Sequence, residues 1–118
     1  MTYALLIYRT APVSIPIPEL EERAALAAHR VLQGESAGRG ELRVVARLDD
    51  VGSARTVRSK AGAHEVSDGP FIETKEWLIG FYLVDCSSAE EALERARVIC
   101  TDESHAIEVR PVTWQWKP

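Results

Sequence analysis

The sequence predicts an α+β fold of order β-α-β-β-α-β, the ferredoxin-like or split βαβ pattern, carrying an inserted hairpin. Three observations lead there. Two segments repeat apolar residues at helical spacing and carry helix start signals. Four segments are rich in strand formers. Two further short strands flank a glycine turn between the second and third of those four. At 118 residues and 13.1 kDa the chain is read as a single domain spanning 1–118.

Tyr3-Ala4-Leu5-Leu6-Ile7-Tyr8 is apolar on both alternating faces and reads as a buried strand. Pro12, Pro16 and Pro18 make residues 11–18 a loop. A helix follows from about Glu19 to Ser36. Pro18 suits its start, Glu19, Glu21 and Glu22 suit the positive end of its dipole, and Gly38 and Gly40 end it. Leu20, Ala24, Ala27, Ala28 and Val31 form its apolar stripe, with His29 well round from the centre. Residues 41–48 are the second strand, and 54–58 and 63–67 are a hairpin around Lys60-Ala61-Gly62. Residues 68–76 are a turn-rich connector. Residues 77–85 are the strongest strand signal in the chain. Ser88 and Glu91 form a capping box, and Ala89, Ala92, Leu93, Ala96 and Cys100 then share one helical face, with Cys100 expected as core filler. Residues 106–112 are the last strand.

Two helices cover one face of a four-stranded sheet. The third strand is nevertheless apolar on both faces: Trp77, Ile79, Phe81 and Leu83 against Leu78, Tyr82 and Val84. A one-sided antiparallel sheet alternates apolar with polar instead. The uncovered face is therefore expected to meet a second copy in a two-fold homodimer, a dimeric α/β barrel enclosing a small-molecule pocket. The competing expectation is that the hairpin folds over the open face of its own sheet.

Apolar residues make up 46% and charged residues 27%, a globular balance. The net charge is −4 and no basic run occurs, which argues against nucleic-acid binding. The longest apolar stretch, Trp77 to Val84, is far below the ~20 residues of a membrane span. No signal peptide is read, and Cys86 and Cys100 are expected to stay reduced, so a cytoplasmic location is expected. No dinucleotide fingerprint, P-loop, zinc-protease motif or metal-like spacing of His29, His64 and His105 is present, so neither cofactor nor metal is expected.

Several residues can carry chemistry. Asp68 opens an Asp68-Gly69-Pro70 turn, and either caps that turn or is presented to a pocket. Thr74 and Lys75 in the connector and Arg58 in the hairpin can hold an anionic group, or be solvated surface. His29 is the candidate general acid or base, or a surface histidine. Tyr8 and Tyr82 are assigned to faces lining the intersubunit space, as ligand contacts or packing.

Asp68-Gly69-Pro70-Phe71, then Glu73-Thr74-Lys75-Glu76 and Gly80-Phe81-Tyr82-Leu83, resemble the signature of the DGPF-type branch of the YCII-related proteins. Tyr3-Ala4-Leu5-Leu6-Ile7-Tyr8, Thr56-Val57-Arg58 and Glu108-Val109-Arg110-Pro111-Val112 are similar to that pattern as well. The resemblance implies a ferredoxin-like dimeric α/β barrel. It also implies either a catalyst with a His–Asp pair, as suspected in a relative that removes chloride from chlorinated aromatics, or a regulatory module associated with sigma factors. In the catalytic reading His29 and Asp68 handle a proton, and Arg58, Thr74 and Lys75 hold an anionic or aromatic substrate for proton abstraction or elimination. The family's usual Gln-Leu-Gly-Gly is Trp77-Leu78-Ile79-Gly80 here, which adds bulk near the expected pocket.

Overall fold

The computed structural model describes residues 1–10, 15–70 and 76–118. Its elements are β1 (Thr2–Arg9), α1 (Glu19–Gly38), β2 (Leu42–Arg47), β3 (Arg55–Lys60), β4 (Ala63–Asp68), β5 (Trp77–Asp85), α2 (Ala89–Ile99) and β6 (His105–Pro111). A short 3-10 turn, Val51–Ser53, precedes β3. Four strands form one antiparallel sheet in the order β2-β5-β1-β6, and β3 and β4 form a separate two-stranded sheet. This is the expected ferredoxin-like arrangement with an inserted hairpin. The four-stranded sheet is open within the chain, and no closed barrel forms among the described residues.

Both helices pack on one face. Tyr3, Leu5 and Ile7 of β1 and Tyr82 and Val84 of β5 meet Leu32 of α1 and Ala92, Ala96 and Ile99 of α2. Each large side chain so buried contributes about 1.5–3 kcal/mol. The Ser88 hydroxyl accepts from Glu91 N–H at 3.1 Å, the cap that the Ser-x-x-Glu spacing predicts. Ile99 rather than Cys100 completes the buried arc of α2, because the helix stops at Ile99 and leaves Cys100 exposed.

Helix α1 turns a different face inward from the one its apolar stripe predicts. Leu32 and Ser36 are buried, and Ala25, Ala28, His29 and Gln33 are half-buried, whereas Leu20 and Val31 are 79% and 51% exposed. The inward arc is thus partly polar, and the most apolar arc faces outward.

A register shift in β5 decides which side chains share a face. Ile7 pairs with Gly80 but Tyr8 pairs with Leu78, so Ile79 is the extra residue of a bulge. Trp77 and Ile79 thereby join Gly80 and Tyr82 on the helix side, instead of staying with Phe81 and Leu83. Tyr82 lies beneath α1 and Tyr8 points to the opposite side of the sheet, since Tyr82 is level with Leu5 and Tyr8 with Leu78. This corrects the assignment of Tyr82 to the open face, while Tyr8 does lie on that face. That face carries Ala4, Leu6, Tyr8, Phe81 and Leu83, all half-buried.

The hairpin does not cover this face. Its strands are exposed along their length except at Thr56. The Ala61-Gly62 pair joins Lys60 to Ala63 with φ of 52° and 82°, a two-residue turn whose second position suits glycine.

Gly80 sits where β5 passes closest to β2. A Cβ there would lie 2.7 Å from the Ala46 carbonyl oxygen, a backbone atom held in the ladder. Gly80→Ala is expected to cost about 1–3 kcal/mol, the range for overpacking, read as a lower urea midpoint. An unchanged midpoint would show that β2 can shift freely.

Candidate functional site

A cavity of ≈ 840 Å³ opens between α1 and one end of the sheet. The ends of β1 and β2 supply Arg9 and Arg47, and the starts of β5 and β6 supply Trp77 and His105. His29, Gln33 and Leu26 come from α1, and Ile7, Ile17, Ile79 and Tyr82 add further wall. Glu22, Asp49 and Asp50 also border it, and all three are exposed. Such a mix of apolar wall and few converging polar groups is the usual make-up of a small-molecule site.

Two imidazoles line this space, each held by a different partner. His29 Nδ1 lies 2.8 Å from the Tyr82 hydroxyl, and the two rings stack with centroids 5.7 Å apart. Gln33 Nε2 donates to the same hydroxyl at 3.1 Å. A hydroxyl has one proton to give. With Gln33 as its donor, Tyr82 O–H satisfies every group by donating to His29 Nδ1. That assignment places the proton of neutral His29 on Nε2. Burial lowers the pKa of His29, and electrostatic interaction with the nearby His105 and Arg47 side chains lowers it further. Burial raises that of Tyr82, against the Gln33 hydrogen bond. Both shifts favour the neutral form of the group.

His105 is oriented the other way. Its Nδ1 lies 2.8 Å from Asp102 Oδ1, and both side chains are nearly buried. Asp102 is itself fixed by Ser104 N–H at 2.8 Å. A carboxylate accepts from Nδ1–H and leaves the Nε2 lone pair of His105 available. The two histidines therefore offer complementary groups, a donor on His29 and an acceptor on His105. Two further donors, Arg9 Nε and Trp77 Nε1, are buried on the wall without an acceptor.

The residues singled out from sequence fall in different places. His29 and Tyr82 are together on the cavity wall. Tyr8 is on the far side of the sheet. Asp68 is at the end of β4 with a nearly fully exposed side chain, 3.5 Å from Arg55 Nε. Arg58 is on β3, exposed, and neither Arg58 nor Asp68 lines the cavity. Thr74 and Lys75 lie outside the described residues. Sequence reasoning passed over Asp102, His105, Arg9, Arg47 and Gln33. The Asp-x-x-His spacing in the turn before β6 was the available signal for the first two. Among the described residues, no three His, Cys, Asp or Glu side chains group as metal ligands, and no helix is long and apolar enough to cross a membrane.

The family model of the YCII-related domain matches residues 1–117. The chain belongs to the YCII-related family. An uncharacterized protein of Rhizobium meliloti (strain 1021) is 40% identical over 114 residues, covering 95% of this chain and 92% of that relative. The YCII-related match thus spans the cavity, the bulge and the hairpin together.

Folding favours neutral His29, so its contribution is fully present above the ordinary value of 6.5 and is lost as the pH falls through the lower folded pKa. An NMR titration should place the His29 midpoint below 6.5, and His29→Gln should flatten the acid limb of the stability curve. Asp68→Asn should leave that midpoint unmoved, since Asp68 pairs with Arg55 in the hairpin. A shift on that substitution would couple Asp68 to the cavity.

Proposed function

We propose that this YCII-related protein binds a small anionic molecule with an apolar or aromatic body beneath α1 and moves a proton on it. The observation that carries this reading is the pair of imidazoles turned to one cavity with opposite hydrogen-bond roles. Arg9 and Arg47 would neutralise a carboxylate or phenolate. Trp77, Ile79, Ile7 and Leu26 would enclose the body, and the indole N–H of Trp77 would find its acceptor on the ligand.

His105 Nε2 would take the proton from a carbon next to a carbonyl or ring oxygen. The electron pair of the broken C–H bond moves onto that oxygen, which His29 Nε2–H stabilises by hydrogen bonding. Return of a proton to another carbon gives isomerisation, and departure of an anion from the neighbouring carbon gives elimination. Asp102 holds His105 in the tautomer this requires and stabilises the imidazolium formed. The groups for these steps are all side chains of the chain itself.

The same reading includes a homodimer through the open sheet face. Ala4, Leu6, Tyr8, Phe81 and Leu83 make that face an apolar layer of the kind buried between packed sheets.

A thermal-shift screen of aromatic and aliphatic carboxylates should raise the melting temperature of the wild type. Arg47→Ala should lose that shift. His105→Ala and Asp102→Asn should retain binding, while turnover of a bound compound falls by about 10²–10⁴-fold, the worth of general acid–base catalysis. Binding without turnover by the wild type would favour a ligand-responsive regulatory module. Binding indifferent to Arg47→Ala, Arg9→Ala and Trp77→Phe would place the site elsewhere.

A further inference from the structure

Three side chains stand in a row across one end of the sheet. Trp77 of β5 pairs with Arg9 of β1, and Arg9 pairs in turn with His105 of β6. Directly paired residues share a face and stand about 5 Å apart from one strand to the next. All three line the cavity. Two members of the row carry unmet donors. Trp77 Nε1–H and Arg9 Nε–H are buried, and neither finds an acceptor among the described residues. Native proteins leave few buried donors in that condition. Arg9 is anchored by a different atom, since its Nη2 donates to the Ile15 carbonyl ahead of α1. The third member is the opposite kind of group. His105 Nδ1 is engaged by Asp102 at 2.8 Å, which turns the Nε2 lone pair outward. The row therefore reads donor, donor, acceptor.

We propose that Trp77 and Arg9 together seat one carboxylate, and that the ligand of this cavity is a carboxylic acid with a hydrogen-bearing carbon next to its carboxyl group. The inference deepens the ligand-binding reading above and rests on it. A carboxylate brings two acceptor oxygens in one plane, one for each unmet donor, and it is already ionised at neutral pH. A phenol, with a pKa of about 10, arrives neutral and brings one oxygen. A phosphate ester brings a third acceptor oxygen, and the next group along the row is the lone pair of His105, which repels it. A carbon that carries hydrogen meets the same lone pair without conflict. The seat also separates the two arginines of the cavity. Arg47 is exposed on β2 and pairs in register with Gly80, outside this row, so it adds attraction for an anion without supplying the seat. Trp77 thereby becomes a specificity residue through its N–H as well as through its ring.

Indole N–H signals of the isotope-labelled full chain test this, with phenylacetate, phenol and phenyl phosphate as probes. Phenylacetate should move the Trp77 indole signal downfield. The signals of Trp114 and Trp116, whose side chains are 76% and 69% exposed, should stay in place and serve as internal references. Phenol and phenyl phosphate should bind at least tenfold more weakly. Trp77→Phe, which keeps a ring and loses the N–H, should weaken phenylacetate about tenfold at unchanged circular dichroism, and so should Arg9→Lys, which keeps the charge and loses Nε; tenfold is about the worth of one hydrogen bond to a charged group. In Arg47→Ala, saturating phenylacetate should still move the Trp77 signal. Phenol or phenyl phosphate binding as tightly as phenylacetate overturns the carboxylate seat and leaves the cavity reading standing. So does phenylacetate binding that responds to Arg47→Ala but not to Trp77→Phe or Arg9→Lys. Failure of all three probes to bind, or binding indifferent to all three substitutions, overturns both.

Discussion

Strict alternation along β5 would send Trp77 and Ile79 through the sheet to the side opposite Tyr82. The bulge at Ile79 prevents this, and the cavity depends on it. One inserted residue aligns Trp77 with Arg9 and Gly80 with Ile7, so an aromatic wall, an arginine and the tyrosine that holds His29 meet on one side. Gly80 is part of the same device. Its missing side chain lets β2 lie against β5 and brings Arg47 level with the bulge.

Helix α1 answers this arrangement with an unusual choice of inward residues. His29, Gln33 and Ser36 point toward the sheet, while Leu20 and Val31 face out. Buried polar groups are tolerable when their hydrogen bonds are made. The Gln33–Tyr82–His29 chain meets that condition, whereas the Ser36 hydroxyl is buried without a partner. The helix gives up some core apolarity and gains a neutral imidazole fixed in one tautomer. Across the cavity, the Asp102–His105 pair achieves the opposite hydrogen-bond role with a carboxylate.

Most of the fold could be read from the residues. The Ser88 cap, the Ala61-Gly62 turn, Pro18 ahead of α1 and the unbroken apolar run of β5 each report local physics, and local physics survives folding. The site was harder to read. Period-2 counting fails across a bulge, which misplaced Tyr82, Trp77 and Ile79. Helical-wheel counting assumes that the most apolar arc faces inward, which put His29, kept as the candidate acid or base, well round from the expected buried centre. Asp102 sits in the bend before β6, where no periodicity operates, and His105 is the first residue of that strand. Their partnership depends on a backbone bend that brings a side chain three positions away into contact.

The strand order also bears on how this chain behaves in a crowded solution. β2 and β6 end the sheet and expose backbone groups able to recruit foreign strands. β2 carries Arg43 and Arg47, and β6 carries Glu108 and Arg110 before closing on Pro111, which has no amide hydrogen to offer. Charge and proline thus guard both rims against lateral growth into fibres.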